Sequence, residues 1–321
     1  MYAVAFDRFG GPEVLRWTTA EPPHPGPGQI RIRVRAAGVS PADLGLRGGG
    51  TPMSARLPLP HIPGVDAAGV VDELGPGVPG EAPGAGAPGG AGVPGGASVA
   101  GAALGDAVFG SVDVARLGGA VAEFAVLQVW SRKPPAMPWE QAGAAASSIE
   151  TATRALDLLA VGPGMTLLID GAAGGVGSIA VQLAVARGAR VVGTARPANH
   201  EFVRSLGATP INVGPTIRVD RALDVAGKGS LPNLIALTGD PAAVVTLADF
   251  TAAEHGVRLS RGRLAGEPDG AHGLPAAAAL VEQGRLRVPI EAVFPFPEAA
   301  AAHTAAERGS RRGKIALRAI P

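Results

Sequence analysis

Residues 165–196 read MTLLIDGAAGGVGSIAVQLAVARGARVVGTAR, and the succession of apolar run, glycine turn, apolar helix and second apolar run decides the fold. Met165 to Asp170 is almost continuously apolar, the pattern of a parallel strand covered on both faces. Gly171 to Gly177 carries almost no side chains. From Ser178 to Arg187 the residues Ile179, Leu183 and Ala186 share one helical face, and Gly188 stands where a left-handed cap stops a helix. Arg190 to Thr194 opens a second strand. The whole is one βαβ unit of a parallel α/β sheet.

A pyrophosphate is held by several backbone N–H groups at the positive end of a helix dipole, and only residues without bulk let the backbone come that close. Gly174, Gly175, Val176 and Gly177 are the candidate donors. Their spacing, Gly171-x-x-Gly174-x-x-Gly177, departs from the usual G-x-G-x-x-G, but it lies between a strand and a helix, the setting the motif requires. A dinucleotide without a 2′-phosphate is usually met by Asp or Glu about 20 residues beyond the glycines. Here no acidic residue occurs between Asp170 and Glu201, and the strand ends in Thr194, Ala195 and Arg196, a hydroxyl and a guanidinium suited to a 2′-phosphate. NADPH is the expected cofactor; the alternative is that Arg196 is a solvated loop charge.

The 321-residue chain, 46% hydrophobic with a formal net charge of +1, has room for two domains and offers no surplus of cations to a polyanion. Aromatic residues are only 4%, too few for base stacking, so nucleic acid is not an expected partner. No stretch approaches a membrane span, and the first residues lack a basic region followed by an apolar core. The expectation is a cytoplasmic protein. With no cysteine, disulfides and thiolate zinc sites are excluded, and the six histidines show no ligand spacing, so no metal is expected.

Ahead of the βαβ unit, Tyr2 to Phe6 and Ile30 to Ala36 read as strands, the second alternating apolar residues with Arg31, Arg33 and Arg35. Gly38 to Gly50 reads as a turn into a short helix begun by Ser40, Pro41 and Asp43. Further short strands through Gly64 to Val78, Asp106 to Gly110 and Ala120 to Leu127 make a small β-rich domain. Pro79 to Ala103 is nearly all Gly, Ala and Pro, with Glu81 its one charge, and is expected to be a flexible excursion. Trp139 to Ala160 is an alanine-rich helical region holding Glu150, Thr151 and Arg154. Beyond the glycine turn, Glu201 to Leu206 and Pro275 to Gln283 read as helices. Ala222 to Val225, Leu234 to Leu237 and Gly256 to Ser260 read as strands, and GKIALRAI from Gly313 as a last strand that returns to the N-terminal β domain.

GPEVLRW at Gly11, GVSPAD at Gly38, PGVDAAGVVDELGPGV at Pro63, GDAVFG at Gly105, AVAEF at Ala120, GAAGGVGSIAVQLA at Gly171, EFVRSLGA at Glu201 and RGKIALR at Arg312 carry a resemblance along essentially the whole chain. The chain resembles the medium-chain dehydrogenase/reductase superfamily, in its zinc-independent quinone oxidoreductase and enoyl reductase branch. The resemblance implies a GroES-like β-rich catalytic domain over residues 1–127, interrupted at 79–103, and a Rossmann NADPH-binding domain with a doubly wound parallel sheet over 128–261. Residues 262–321 then return to the catalytic domain. It also implies a homodimer, and hydride transfer to a small apolar conjugated carbonyl: an enone, a quinone or an enoyl substrate.

By the same resemblance Thr151 packs by the nicotinamide, and Asn199 and Lys314 join the cofactor residues. Ser40 stands where the branch usually carries Asn and is a candidate donor to the oxygen on which charge develops; its alternative is to cap the helix starting at Pro41. Asp43 is the second catalytic candidate, with a structural role as its alternative. Gly64, Val65 and Asp66 replace the Gly-His-Glu of the zinc-dependent branch. The only tyrosine is Tyr2, so a phenolic proton donor has no candidate. His61 reads as a surface histidine. Two other functions stay open: a non-redox cyclase or isomerase that binds NADPH, and an accessory protein whose Gly/Ala/Pro segment meets a partner.

Overall fold

The computed structural model describes residues 1–79, 101–112, 119–212, 217–262, 266–308 and 312–320. Its elements begin with β1 (Tyr2–Ala5), β2 (Arg16–Thr19), β3 (Ile30–Val39), α1 (Pro41–Gly48), β4 (Asp66–Leu74), β5 (Ala107–Val112), β6 (Phe124–Arg132), α2 (Trp139–Gly143) and α3 (Ala146–Leu158). The alternating stretch then follows as β7 (Thr166–Asp170), α4 (Gly175–Ala186), β8 (Arg190–Thr194), α5 (His200–Ser205), β9 (Thr209–Ile211), β10 (Arg221–Asp224), α6 (Leu231–Thr238), β11 (Val244–Thr246), β12 (Arg258–Leu259) and α7 (Gly273–Glu282). The chain closes with β13 (Ile290–Pro295), α8 (Ala299–Glu307) and β14 (Lys314–Arg318).

Two compact units result: Met1–Ser147 with Ile290–Ser310 and Lys314–Pro321, and Ser148–Pro289 with Arg311–Gly313. The divisions fall later than the 127/128 and 261/262 expected from the sequence. On the first side, β6 runs to Arg132, paired with β5 and β3, so the β-rich unit keeps it. On the second, Gln182 of α4 both donates to the Arg287 carbonyl and accepts from the Arg287 N–H, each at 2.9 Å, which ties the chain after α7 to the parallel sheet's own helix.

The first unit's main sheet runs β13-β14-β3-β4-β5-β6, with β6 also pairing on β3, so that β3 to β6 close on themselves. Strand β3 shows why. Ile30, Ile32 and Val34 are buried while Arg35 is exposed, and Arg31 and Arg33 lie over the Phe124 ring at 5.0 and 4.9 Å. Arg31 also grips Asp72 through Nε and Nη2 at 3.1 and 2.9 Å. As expected from the sequence, β14 comes back to this unit, antiparallel to β3, with Ile315 opposite Val39.

In the second unit the parallel sheet has the order β12-β11-β10-β7-β8-β9. Leu167, Leu168 and Ile169 of β7 are fully buried, as a central strand covered on both faces requires. Leu234 to Leu237, expected as a strand, belongs instead to helix α6. Leu231, Leu234 and Leu237 recur every third residue and are all buried, Pro232 stands in the first turn, and Gly239 ends the helix at φ 76°. Proline at the start and glycine past the end are helix signals that outweigh four apolar residues in a row. Most of the Gly/Ala/Pro stretch, residues 80–100, lies outside the described residues; on its flanks the Ala102 N–H donates to the Pro79 carbonyl at 3.3 Å.

His61 is not at the surface. Its backbone exchanges hydrogen bonds of 2.9 Å with Phe6 in both directions, its ring meets the Phe6 ring edge-on at 5.5 Å, and only 2% of the residue is exposed. Neither ring nitrogen has a hydrogen-bond partner among the described residues, and burial pushes its pKa from 6.5 down to about 4. The unfolded chain therefore takes up a proton below pH 6.5 that the folded chain refuses until about pH 4, and stability falls across that window as pH drops, by at most about 3 kcal/mol. His303, pushed to about 3 by burial and then by Arg47, adds a slope of the same sign. Urea titrations between pH 7 and 4 should show His61→Phe losing less stability than the parent chain; equal slopes would mean that the His61 ring gains a proton in place.

Candidate active site

Strand β7 delivers the chain to Gly171, whose φ of 88° is left-handed and open to glycine at little cost. Gly177, in the first turn of α4, has no room for a side chain: a Cβ there would lie 2.2 Å from the Gly171 carbonyl oxygen. The helix start is thus pressed against the strand end. Gly174 is the N-cap, with extended φ and ψ of −75° and 179° and no side chain to cap the helix. The first-turn amides of Gly175, Val176 and Gly177 have no intrahelical acceptor, which is the arrangement that a phosphate completes.

The end of β8 is laced to this turn. Thr194 Oγ1 accepts from the Gly171 N–H at 3.0 Å and donates to Asp170 Oδ1 in a short contact, and the Thr194 carbonyl accepts from Ala172 N at 3.2 Å. Thr194 is 4% exposed, so its hydroxyl fixes the glycine turn. Arg196, two residues on, is exposed; its carbonyl accepts from Asn199 N at 2.8 Å, and its side chain has no hydrogen bond or ion pair among the described residues. Asn199, in the turn that follows, accepts from Arg312 Nε at 2.6 Å.

Across the neighbouring strand, Asp224 Oδ1 accepts from the N–H groups of Ala226 and Gly227, both at 2.9 Å, and Oδ2 accepts from Thr246 Oγ1 at 2.8 Å. Burial raises its pKa, against those hydrogen bonds. Asp170 and Asp224 are register partners at the carboxyl ends of β7 and β10, where the strand order reverses and ligands of doubly wound sheets bind. The sequence showed an acid ending each strand. It did not show their pairing.

Thr151, on α3, donates through Oγ1 to Glu150 Oε2 at 3.0 Å. Arg154 donates through Nε to Glu150 Oε1 at 2.9 Å, and that same oxygen accepts from Gly270 N at 3.0 Å. Glu267 gathers Ser260 Oγ and the N–H groups of Arg261 and Gly262. Thr151 thus belongs to a polar network that holds the chain beyond β12 on the second unit's own helix.

The catalytic candidates lie in the first unit. Ser40 caps α1: its Oγ accepts from Asp43 N at 3.4 Å and donates to Asp43 Oδ2 at 2.7 Å, while Ser40 N donates to the same oxygen at 2.7 Å. Asp43 Oδ1 accepts from Gly64 N at 3.0 Å, and Asp43 is 2% exposed. Beside this box lies Asp66, which accepts from Ser147 N at 2.7 Å and Ser147 Oγ at 2.6 Å and faces Lys314 Nζ at 3.7 Å. Asp66 and Lys314 are 1% and 4% exposed. Burial raises both carboxyl pKa values; Ser40 and Lys314 oppose the rise most at Asp43 and Asp66 respectively.

A reciprocal capping box favours the structural alternative for Ser40. Ser40→Ala is expected to lower stability by about 1 kcal/mol and turnover by less than about tenfold. A turnover loss of a hundredfold or more with unchanged urea stability would return the hydroxyl to the chemistry.

Superposed on solved structures, this arrangement matches along its whole length. A structure described as an alcohol dehydrogenase superfamily protein from Novosphingobium aromaticivorans is 31% identical with a TM-score of 0.81, covering 99% of both chains. The quinone oxidoreductase from Coxiella burnetii is 28% identical with a TM-score of 0.82 over the same shares. The chain belongs to the medium-chain dehydrogenase/reductase superfamily, in its zinc-independent quinone oxidoreductase branch. Two family models divide this medium-chain dehydrogenase/reductase between them: an alcohol dehydrogenase GroES-like domain over residues 26–132 and a zinc-binding dehydrogenase over 200–317. Among the described residues no group of three His, Cys, Asp or Glu is placed to hold a metal ion.

The human synaptic vesicle membrane protein VAT-1 homolog is 35% identical over 228 residues, 69% of this chain and 51% of its own. The chain thus spans about half the length of that relative. The 2-methylene-furan-3-one reductase of Solanum lycopersicum is 27% identical over 100% of this chain and 80% of its own length. No helix of the described residues is long and apolar enough to cross a membrane.

Proposed function

We propose that this medium-chain dehydrogenase/reductase is an NADPH-dependent oxidoreductase that reduces a small apolar conjugated carbonyl, a quinone, enone or enoyl compound, without a metal, and works as a homodimer. The observation that carries this reading is the end of β8: no acid to receive a ribose hydroxyl pair, Thr194 consumed in fixing the glycine turn, and the Arg196 side chain exposed with no hydrogen-bond or ion-pair partner among the described residues. Those residues fit a phosphorylated dinucleotide. The relatives named as a quinone oxidoreductase and a 2-methylene-furan-3-one reductase support the class of acceptor.

NADPH, when bound, supplies a hydride for the electron-poor carbon. The protein's part is to hold and orient: first-turn amides of Gly175, Val176 and Gly177 on the pyrophosphate, and Arg196 on the 2′-phosphate. Since the Ser40 hydroxyl is already donated to Asp43 and the one tyrosine is in β1, the proton that completes reduction comes from water, and a broad pH profile without a sharp bell is the consequence.

The same commitment of Ser40 favours a second reading, in which NADPH is bound and a cyclisation or isomerisation proceeds without net redox change. The deciding measurement is the loss of NADPH absorbance against a panel of quinones, cyclic enones and enoyl thioesters. Oxidation with any of them supports the reductase. Bound NADPH that survives the whole panel while a substrate is converted without redox change would replace it by the second reading.

A further inference from the structure

The two residues before β14 lie on both halves of the cofactor site of the second unit. Gly313 N donates to the Ala173 carbonyl at 2.9 Å, and Gly313 forms a parallel bridge with Gly174, so its backbone seals the glycine turn. Arg312 reaches the other way. Its Nε donates to Asn199 Oδ1 and its Nη2 to the Ala198 carbonyl, both at 2.6 Å, which docks the guanidinium on the Pro197–Asn199 turn that follows Arg196.

One short turn at the end of β8 thus carries Arg196 as its N-cap residue and receives the Arg312 guanidinium on Ala198 and Asn199. Both side chains are exposed, and neither makes an ion pair with a carboxylate among the described residues. Arg312 is held only by neutral oxygens, and its remaining N–H groups, those of Nη1 included, have no partner among the described residues. The turn therefore brings two cationic side chains without a carboxylate partner to the end of β8, and a phosphate monoester, with roughly −1.5 to −2 charges and three acceptor oxygens, is the anion that such a pair suits.

We propose that Arg312 is a second guanidinium of the 2′-phosphate site, that Asn199 is the positioning residue that orients it, and that Arg196 and Arg312 together set the preference for NADPH over NADH. This rests on the NADPH reading above, and it gives Asn199 a different task from direct contact with the cofactor. The preference is then built by a segment far along the chain from the strand that ends it.

The test measures NADPH and NADH binding, and binding of 2′,5′-ADP against 5′-AMP, by calorimetry on the full chain and on Arg312→Gln, Arg312→Lys and Asn199→Ala. Arg312→Gln should weaken NADPH and 2′,5′-ADP by roughly tenfold or more and leave NADH and 5′-AMP within about threefold. Arg312→Lys, which keeps the charge but not the planar fork, should fall between parent and Arg312→Gln. Asn199→Ala should act in the same direction with a smaller loss, and added salt should weaken NADPH less in Arg312→Gln than in the parent. Unchanged melting temperatures of the free proteins separate these losses from misfolding. Equal losses for the two nucleotides of a pair, or no loss for either, in a parent chain that itself prefers NADPH overturn the role of Arg312 and leave the cofactor reading standing. A parent chain that binds NADPH no tighter than NADH overturns both.

Discussion

Arg196→Ala is expected to weaken NADPH by roughly 10- to 150-fold and NADH by no more than about threefold, since a charge-assisted contact to a phosphate contributes about 1.5–3 kcal/mol. The side chain is exposed at the N-cap of the Pro197–Asn199 turn, with no hydrogen bond or ion pair among the described residues to lose when it is removed, so the folded protein should melt as before. Titrating both cofactors into parent and variant by intrinsic fluorescence checks it. Equal losses for the two would take Arg196 out of the phosphate site and leave it a solvated charge. A variant that keeps part of its discrimination is what a site shared with Arg312 requires, whereas one that discriminates as strongly as the parent would place the whole preference on Arg312.

Lys314→Met should destabilise the first unit by about 3–5 kcal/mol, the cost of leaving a buried carboxylate without its cation. Asp66 would keep only the two hydrogen bonds from Ser147. Because burial already raises the Asp66 pKa, the variant should regain stability as pH falls, since a carboxyl raised in the folded state is most favourable protonated and costs stability as pH rises through its folded pKa. Adding Asp66→Asn should recover roughly 2 kcal/mol of the loss. Urea titrations of the four proteins of this cycle are the check. If Lys314→Met instead melts like the parent and loses NADPH affinity, the lysine is a cofactor ligand, as the family resemblance implied, and the ion pair is incidental.

The βαβ unit was fully legible because its signals are local: a three-residue apolar core in β7, glycines where side chains would collide, and Gly188 behind α4. The alternation of Ile30, Ile32 and Val34 with three arginines likewise marked β3. What escaped was decided at a distance. Nothing near Lys314 announces Asp66, and nothing near Arg312 announces Asn199; each pair meets only once the chain has folded back. The prolines that flank His61 suggest an exposed loop, whereas a bridge to Phe6 draws the residue inside. The three-residue strands β9 and β11 are too short for period-two alternation, and the four apolar residues Leu234 to Leu237 read as a strand although Pro232 and Gly239 mark the ends of helix α6. For the catalytic candidates, Ser40 and Asp43 could be located from the sequence. That the two serve each other could not.

One topological feature governs how this protein is made. On the edge of β3 that faces away from β4, Ala36 to Val39 pair with Ile315 to Arg318 of β14. At about 5–20 residues per second, a ribosome that has finished β3 needs on the order of tens of seconds to finish β14. Throughout that interval this half of β3 is an apolar strand edge with open hydrogen-bonding groups, the surface on which nascent chains aggregate or recruit chaperones. The parallel sheet, whose strands come from one uninterrupted stretch between Thr166 and Leu259, meets no such delay. The β-rich unit, first to leave the ribosome, is the last to be completed.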